Sequence, residues 1–475
     1  MKTSWLWIKV FSLCTVGMLM FCGMDLSEAE ANSASILKGS RPNILVILSD
    51  DHGILDSGCY GNKICRTPDI DRLASGGLRF TRAFTATAMC TPSRSTLYTG
   101  LYPHRHGAHA NHSKTRAGIK SMPHYLKPLD YRVGLAGKTH IKPREAYPFE
   151  YMKRDKIEEF IAENTNEHFC LIFATNDPHT PFKQPEPGKG HDHAKIKLPP
   201  YLVDTLLTRI LFDNYYTSVE ALDGQVGEVM RLLKRLRLIE STLVIYVSDH
   251  GAGVPFAKWT LYDAGLNVPF IVSWSGKIRA GVTDAMISFV DLLPTCIELA
   301  GGKVPDTIDG RSFIGIIEGT SQAHRDTVFG THTTKGIIKG SHYPIRDVRT
   351  STHKYIRNFN PDGTFENLIT RGLPNKGKHS KKSQTNAVDR SSAIWPEWLK
   401  VAEVDSKAAR RVELYRKRPA EELYDLRTDP FELNNLAADP KYKDVLNDLR
   451  IRLAKWMKQQ GDLLVMNKVG DSITQ

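Results

Sequence analysis

The chain contains no Cys-x-x-Cys pair and no Cys/His spacing that would hold zinc, so thiol-redox and zinc-ribbon readings have nothing to rest on. It has no internal repeat, which excludes solenoids and propellers. Cysteine is scarce, at seven in 475 residues, so a disulfide framework does not define the fold. The longest apolar run, residues 10–21, is too short to cross a bilayer comfortably, and a multi-span membrane protein is ruled out. Acid is in deficit: 64 Lys+Arg against 52 Asp+Glu give a net charge of +12. A basic surface suits polyanions, whether nucleic acid, anionic lipid or sulfated and phosphorylated substrates, and charge does not choose among them. With 41% hydrophobic and 24% charged residues the composition is that of a globular protein, neither disordered nor fibrous.

At the N-terminus Lys2 and Lys9 precede or flank the 10–21 run, and Ala29-Glu30-Ala31 has the small-x-small form of a cleavage site. Residues 1–31 therefore read as a signal peptide, placing the mature chain in a periplasm or outside the cell, or in a lysosome in an animal. Removing that segment takes Cys14 and Cys22 with it and leaves Cys59, Cys65, Cys90, Cys170 and Cys296, an odd number for an exported protein. Cys59 and Cys65 are near enough in sequence to pair, but pairing is a matter of geometry.

Beyond the leader, short apolar runs at 43–49, 131–137, 169–175, 242–248 and 268–274 predict strands buried on both faces of a mainly parallel sheet. A helical pattern over 212–238 lies between two of them, and such alternation predicts an α/β fold. Four runs end in reactive side chains: Asp50-Asp51, Lys138 and His140, Asp177 and His179, and Asp249-His250. In open α/β sheets ligands bind at these carboxyl ends. Composition shifts after residue 325, dividing the chain into a catalytic domain over 40–325 and a C-terminal subdomain over 326–475. In the latter, 345–359 and 421–427 read as strands, 371–392 as a long exposed loop and 440–460 as an amphipathic helix.

Asp50, Asp51 and Asp249 are hard oxygen donors from two strand ends, a set that suits Ca²⁺, with Mg²⁺ as the alternative. A lone Asp in this position would be a turn or helix cap; three together are a metal site. Cys90 opens Cys90-Thr91-Pro92-Ser93-Arg94, with Pro92 suited to a first helical turn and Arg94 one turn from Cys90. An isolated cysteine there would be a small buried hydrophobe.

This segment, closing on Thr99-Gly100, resembles the signature of the sulfatase family, and the resemblance runs from Arg41 to the C-terminal region. It implies an alkaline-phosphatase-like α/β fold with a small C-terminal antiparallel sheet. It also implies that a formylglycine-generating enzyme oxidises Cys90 to formylglycine, which accounts for the odd cysteine. By the same resemblance Asp50, Asp51 and Asp249 are metal ligands, and formylglycine 90, as its hydrate, is both nucleophile and ligand. Arg94 steadies the hydrate, and Lys138 and Lys258 hold sulfate. His140 takes the proton of the second hydroxyl, and His179 protonates the leaving group. His250 stands where many relatives have Asn and is either a further ligand or a hydrogen-bonding residue behind one. Gly137-Lys138-Thr139-His140 with Tyr147-Pro148-Phe149, and Tyr343-Pro344-Ile345-Arg346, are similar to the branch of the family that hydrolyses N-sulfoglucosamine. That likeness implies an N-sulfatase on heparan-type glycans, with Asp177 as acceptor for the substrate amine, and an O-sulfatase on a related polysaccharide as the alternative. The likeness weakens over 331–342 and 371–392.

Sulfuryl transfer is mostly positioning and charge stabilisation, which a divalent cation with Arg94, Lys138 and Lys258 would supply. A phosphonate hydrolase on the same fold would favour another nucleophile, and an inactive glycan-binding relative would have lost some of these groups. No nucleic-acid partner and no stable membrane span are expected; a homodimer is allowed. The basic run 376–382 reads as a solvated loop, and His104, His106, His109 and His112 as pocket lining or loop. Asn111-His112-Ser113 is a glycosylation sequon where the host uses one.

Overall fold

The computed structural model describes residues 35–163, 167–339, 341–371, 390–462 and 464. The expected leader over 1–31 and the basic run 376–382 lie outside the described residues.

Eight strands form the central sheet: β1 (Asn43–Ser49), β2 (Leu78–Phe80), β3 (Tyr131–Gly137), β4 (Glu150–Met152), β5 (His168–Ala174), β6 (Thr242–Ser248), β7 (Phe270–Ser273) and β8 (Gly281–Thr283). Their order is β4-β3-β5-β1-β6-β7-β2-β8. The five strands from β4 to β6 are parallel. β1 and β6 are buried at every residue, as continuous apolar runs require when both faces of a sheet are covered. The 268–274 run enters the sheet as β7 but antiparallel to β6. An apolar pattern carries no direction. Here the chain turns back at the carboxyl edge without a full crossover helix, and only Asp263–Leu266 is helical on the way.

Three helices matter for the site and its support. α1 (Pro68–Ser75) packs beside the sheet, and α2 (Cys90–Thr99) is buried throughout. α3 (Leu206–Arg235) begins six residues before the expected 212 and stops three short of 238. Its start is set by Thr205, whose side chain accepts from the Thr208 amide at 3.1 Å. Its apolar face, with Leu211, Tyr215, Val219, Leu222 and Val226, is buried.

A separate four-stranded antiparallel sheet follows, β9 (Thr327–His332), β10 (Ile345–Thr350), β11 (His353–Asn358) and β12 (Glu421–Asp425), in that order. The expected 345–359 strand is thus a hairpin. α4 (Lys443–Gln459) packs on β10 and β11 through Leu446, Leu449, Leu453 and Trp456. Trp456 also stacks on Phe329 at 4.9 Å and meets Tyr102 edge-on at 5.2 Å, joining the second sheet to the segment after α2. The boundary expected after residue 325 falls just ahead of β9, and from Ile36 the chain forms one compact unit. Cys59, Cys65, Cys90, Cys170 and Cys296 are free thiols. Among the described residues no helix is long and apolar enough to cross a membrane.

Candidate active site

Register brings the polar strand ends together. Ser49 pairs with Ser248, Leu48 with Ala174, and Gly137 with Ala174, so β1, β6, β5 and β3 stop at nearly one level. Asp50, Asp249, Asp177 and Lys138 then leave the sheet along one edge. Gly137 has φ +94° and lies so close to the Ala174 carbonyl that a Cβ would fall 2.1 Å from its oxygen. Only glycine lets β3 deliver Lys138 there. Asp51 adopts φ +68°, a left-handed conformation that an aspartate holds at some cost, and its amide donates to Asp249 Oδ1 at 3.1 Å.

α2 points its first residue at this edge. Cys90 Sγ lies 3.4 Å from His250 Nε2 and 4.0 Å from Asp50 Oδ1. Arg94, one turn on, is fully buried; Nε donates to Asp249 Oδ2 at 2.9 Å, Nη2 to Asp50 Oδ1 at 3.3 Å and Nη1 to the Lys138 carbonyl at 3.3 Å. Lys138 Nζ is bonded to Asp50 Oδ2, and Lys258 Nζ to both oxygens of Asp51 at 2.7 and 2.9 Å. Three buried carboxylates thus face three basic side chains around one thiol. His179 stands at the rim, Nε2 4.0 Å from Asp51 Oδ2, while its Nδ1 donates to the Thr180 carbonyl at 2.6 Å. That bond leaves Nε2 facing the site.

The field acts on the thiol. Burial alone would raise the Cys90 pKa, but Lys258, Lys138 and the His140 and His250 imidazoles hold it well below the ordinary thiol range. Asp50 moves the other way, raised by burial and by Asp249 beside it. Burial works against the His250 imidazolium, yet Asp249 and Asp51 lift its pKa to about 9.

A divalent cation fits this donor set. Ligand atoms of Asp50, Cys90 and Asp249, and those of Asp51, Cys90 and His250, lie within 4.8 Å of one another in each group. His250 Nδ1 donates to the Gly251 carbonyl at 3.0 Å, which orients Nε2 toward the same point. The carboxylate oxygens are hard donors of the kind Ca²⁺ and Mg²⁺ take.

Asp177 is placed beside the site but is already engaged. Its oxygens take Lys183 Nζ at 2.5 Å and Gln225 Nε2 at 2.6 Å. It lines a cavity of about 690 Å³ with Asp50, Lys138, Arg154 and His179. A smaller recess of about 130 Å³ lies between Lys258, Trp259, Ile369, Arg390 and Ser391. Its far wall comes from Leu368 and Ile369 and from Arg390, Ser391 and Ser392; residues 372–389, most of the expected 371–392 loop, lie outside the described residues. The 331–342 segment also reaches the site: the Asn111 amide donates to the Lys335 carbonyl at 3.2 Å, and His112 Nδ1 lies 2.8 Å from His140 Nε2. Sequence reasoning left His112 as lining or loop, read Asn111 only as part of a glycosylation sequon, and missed Trp259 and Arg390 altogether. A cluster of histidines was the one available signal, and it did not say which of them turns inward. His106 instead is a structural residue, bonded to Thr96 and to the Ala108 amide.

Family comparison covers the same part of the chain. The family model described as Sulfatase matches residues 42–154 and 153–302, a span that includes every strand end just described.

The chain belongs to the sulfatase family.

A second model, "N-sulphoglucosamine sulphohydrolase, C-terminal", matches residues 250–378 of this sulfatase. An ulvan-active sulfatase of Formosa agariphila is 36% identical over 96% of this chain and 89% of its own. Human N-sulphoglucosamine sulphohydrolase is 28% identical, covering 89% and 91%. Among solved structures, that of BT4656 in complex with its substrate D-glucosamine-2-N,6-O-disulfate superposes with a TM-score of 0.68 at 19% identity, over 90% of this chain and 100% of that one. At that identity it speaks for the fold alone.

Proposed function

We propose that this sulfatase releases sulfate from a sulfated polysaccharide or its oligosaccharides, using formylglycine at position 90 and Ca²⁺. The observation that carries the proposal is two buried ligand groups that share Cys90, one with Asp50 and Asp249 and one with Asp51 and His250, ringed by Arg94, Lys138 and Lys258. Bound there, the cation would polarise a sulfate oxygen and steady the oxygen at position 90. The residues of the chain do the rest. Arg94 fixes the two carboxylates and the residue at 90 relative to each other. Lys138 and Lys258 flank the sulfuryl group and offset its charge. His179, as the imidazolium with Nδ1–H held on the Thr180 carbonyl, gives its Nε2 proton to the leaving atom. The large cavity, with Lys138, Arg154 and His179 on its walls, receives the sugar.

Two readings of the scissile bond remain, and we place O-sulfate first. It is supported by the 36% identity to an ulvan-active sulfatase and by Asp177, whose oxygens are held by Lys183 and Gln225 rather than presented to an amine. N-sulfoglucosamine, which the sequence motifs favour, is supported by the C-terminal family model and the human relative. The deciding experiment uses protein co-expressed with a formylglycine-generating enzyme and loaded with Ca²⁺. Sulfate release is measured from ulvan oligosaccharides, N-acetylglucosamine-6-sulfate and N-sulfoglucosamine. Release from ulvan or the 6-sulfate alone is expected. Release from N-sulfoglucosamine alone would reverse the order, and no release from any sulfated sugar would refute the proposal.

A further inference from the structure

A polar chain runs from the backbone beside Cys90 out to solvent and back to His140. The Thr91 amide donates to Asn111 Oδ1 at 3.4 Å. A backbone N–H can only donate, so the Asn111 oxygen faces it and the amide nitrogen turns away. That nitrogen, Nδ2, lies 3.2 Å from His112 Nε2, and His112 Nδ1 lies 2.8 Å from His140 Nε2. The direction of each bond now follows. Nδ2 donates, so His112 Nε2 accepts. Neutral His112 then carries its proton on Nδ1 and donates it to His140 Nε2. Neutral His140, accepting at Nε2, carries its own proton on Nδ1. That atom is buried without a protein hydrogen-bond partner, and the His140 ring interacts with the Cys90 side chain.

The backbone is held so that these rings meet. His112 and His140 sit at φ +59° and +49°, left-handed conformations that cost a non-glycine residue free energy. Their ring centroids are 4.6 Å apart. The His112 amide donates to Thr91 Oγ1 at 3.1 Å, and the Lys335 carbonyl secures the Asn111 amide, so the loop is tied on two sides.

We infer that Asn111 and His112 are positioning residues that select the His140 tautomer with its proton on Nδ1. In that tautomer the buried Nδ1–H of His140 is a donor that no protein acceptor takes, available to an oxygen bound in the site. The inference rests on the sulfatase reading for its catalytic consequence, but the tautomer itself is a property of the loop.

The test uses matured, Ca²⁺-loaded full-length protein labelled with ¹⁵N-histidine at neutral pH. Long-range ¹H–¹⁵N correlation identifies which His140 nitrogen bears the proton, and steady-state kinetics are measured on the best sulfated sugar. Wild type is expected to show the Nδ1–H form. Asn111→Asp supplies an acceptor to His112 Nε2 and should move the proton of His140 to Nε2, lowering kcat about tenfold at unchanged KM. His112→Gln, which still donates, should keep most of kcat, whereas His112→Glu, which only accepts, should resemble Asn111→Asp. An Nε2–H form in wild type overturns the inference, and that spectrum decides even if a variant fails to fold. So does an Asn111→Asp protein matching wild type in both spectrum and kcat, or equal kcat in the two His112 variants. If wild type shows Nδ1–H but turns over no sulfated sugar, the sulfatase reading fails and the tautomer assignment stands.

Discussion

At the carboxyl edge of the large sheet, Asp50, Asp51 and Asp249 face Arg94, Lys138 and Lys258 with His250 among them. Where the second sheet meets the first, Asp263, Asp347 and Glu432 face Lys354 and Arg349. Lys354 Nζ lies 2.9 Å from Asp263, 3.1 Å from Glu432 and 4.0 Å from Asp347, and Arg349 Nε lies 3.0 Å from Asp263. Both clusters are buried, and both crowd three acids into a small space. They differ in how the surplus negative charge is met. At the sheet junction it is met by protons: burial raises the Asp347 pKa to about 7 and that of Glu432 to about 8, while Asp263, despite its burial, is held to about 2 by Arg349 and Lys354. At the strand edge four basic groups, Arg94, Lys138, Lys258 and His250, face the three carboxylates and the Cys90 thiol, and oxygens from separate strands still point at one another. Asp50 is raised by burial and by Asp249, a cost that a divalent cation would remove. The junction is closed electrostatically by the protein itself, whereas the edge, on the proposed function, would take a cation and a sulfate.

The sharpest way to separate the two is at the thiol. Cys90→Ala should abolish sulfate release while the thermal midpoint stays close to wild type, and Cys90→Ser should be equally inactive after aerobic maturation. Turnover surviving in the alanine variant would remove position 90 from the chemistry.

Next in size is the loss of one buried cation from each cluster. Arg94→Leu and Lys354→Met should each cost about 3–5 kcal/mol, because carboxylates stay buried without their partner. Denaturant midpoints read this. Added Ca²⁺ should recover part of the loss in Arg94→Leu and none in Lys354→Met; equal recovery in both would erase the distinction drawn here. Chelation of the wild type gives the same contrast more gently. Removing Ca²⁺ from a sample held at 100 times its dissociation constant should lower stability by about 2.7 kcal/mol. An unchanged midpoint after chelation would mean that the edge binds no cation.

The smallest effect is a pH slope. Folded Asp347 keeps its proton up to about pH 7, while the unfolded group releases it near its ordinary value of 3.8. The folded state binds more protons in that window, so this group's contribution falls as pH rises from about 4 to about 7 and stays lost above it. Asp347→Asn should flatten that slope and gain roughly 1–3 kcal/mol at pH 8, measured as urea midpoints at pH 5 and pH 8. A steeper slope in the variant would contradict the assignment.

Much of the site could be read directly from the chain. Asp50-Asp51, Lys138, His179 and Asp249-His250 each follow an apolar run, and the structure sets all of them on one edge. The direction of β7, the true start of α3 at its Thr205 cap and the partner of His140 could not be read. Each depends on a contact that the pattern does not encode: the turn after β6, a hydroxyl meeting an amide, and a loop at 111–112 meeting one at 140. Asp177 shows the limit most clearly. Its place beside His179 suggested substrate contact, but Lys183 and Gln225, the latter on α3, already hold its carboxylate.

What the sequence alone determined is local chemistry: buried strands from unbroken apolar runs, a helix start behind Cys90, hard donors after two strands and the family they belong to. Tertiary structure decided which of these groups share a point in space, which carboxylates are free and which histidine faces which. The physical reason is that apolar periodicity and short motifs are fixed by covalent neighbours. Ion pairs such as Lys258–Asp51 and hydrogen bonds such as His112–His140 depend instead on strand register and loop conformation, which only the packing of the whole chain selects.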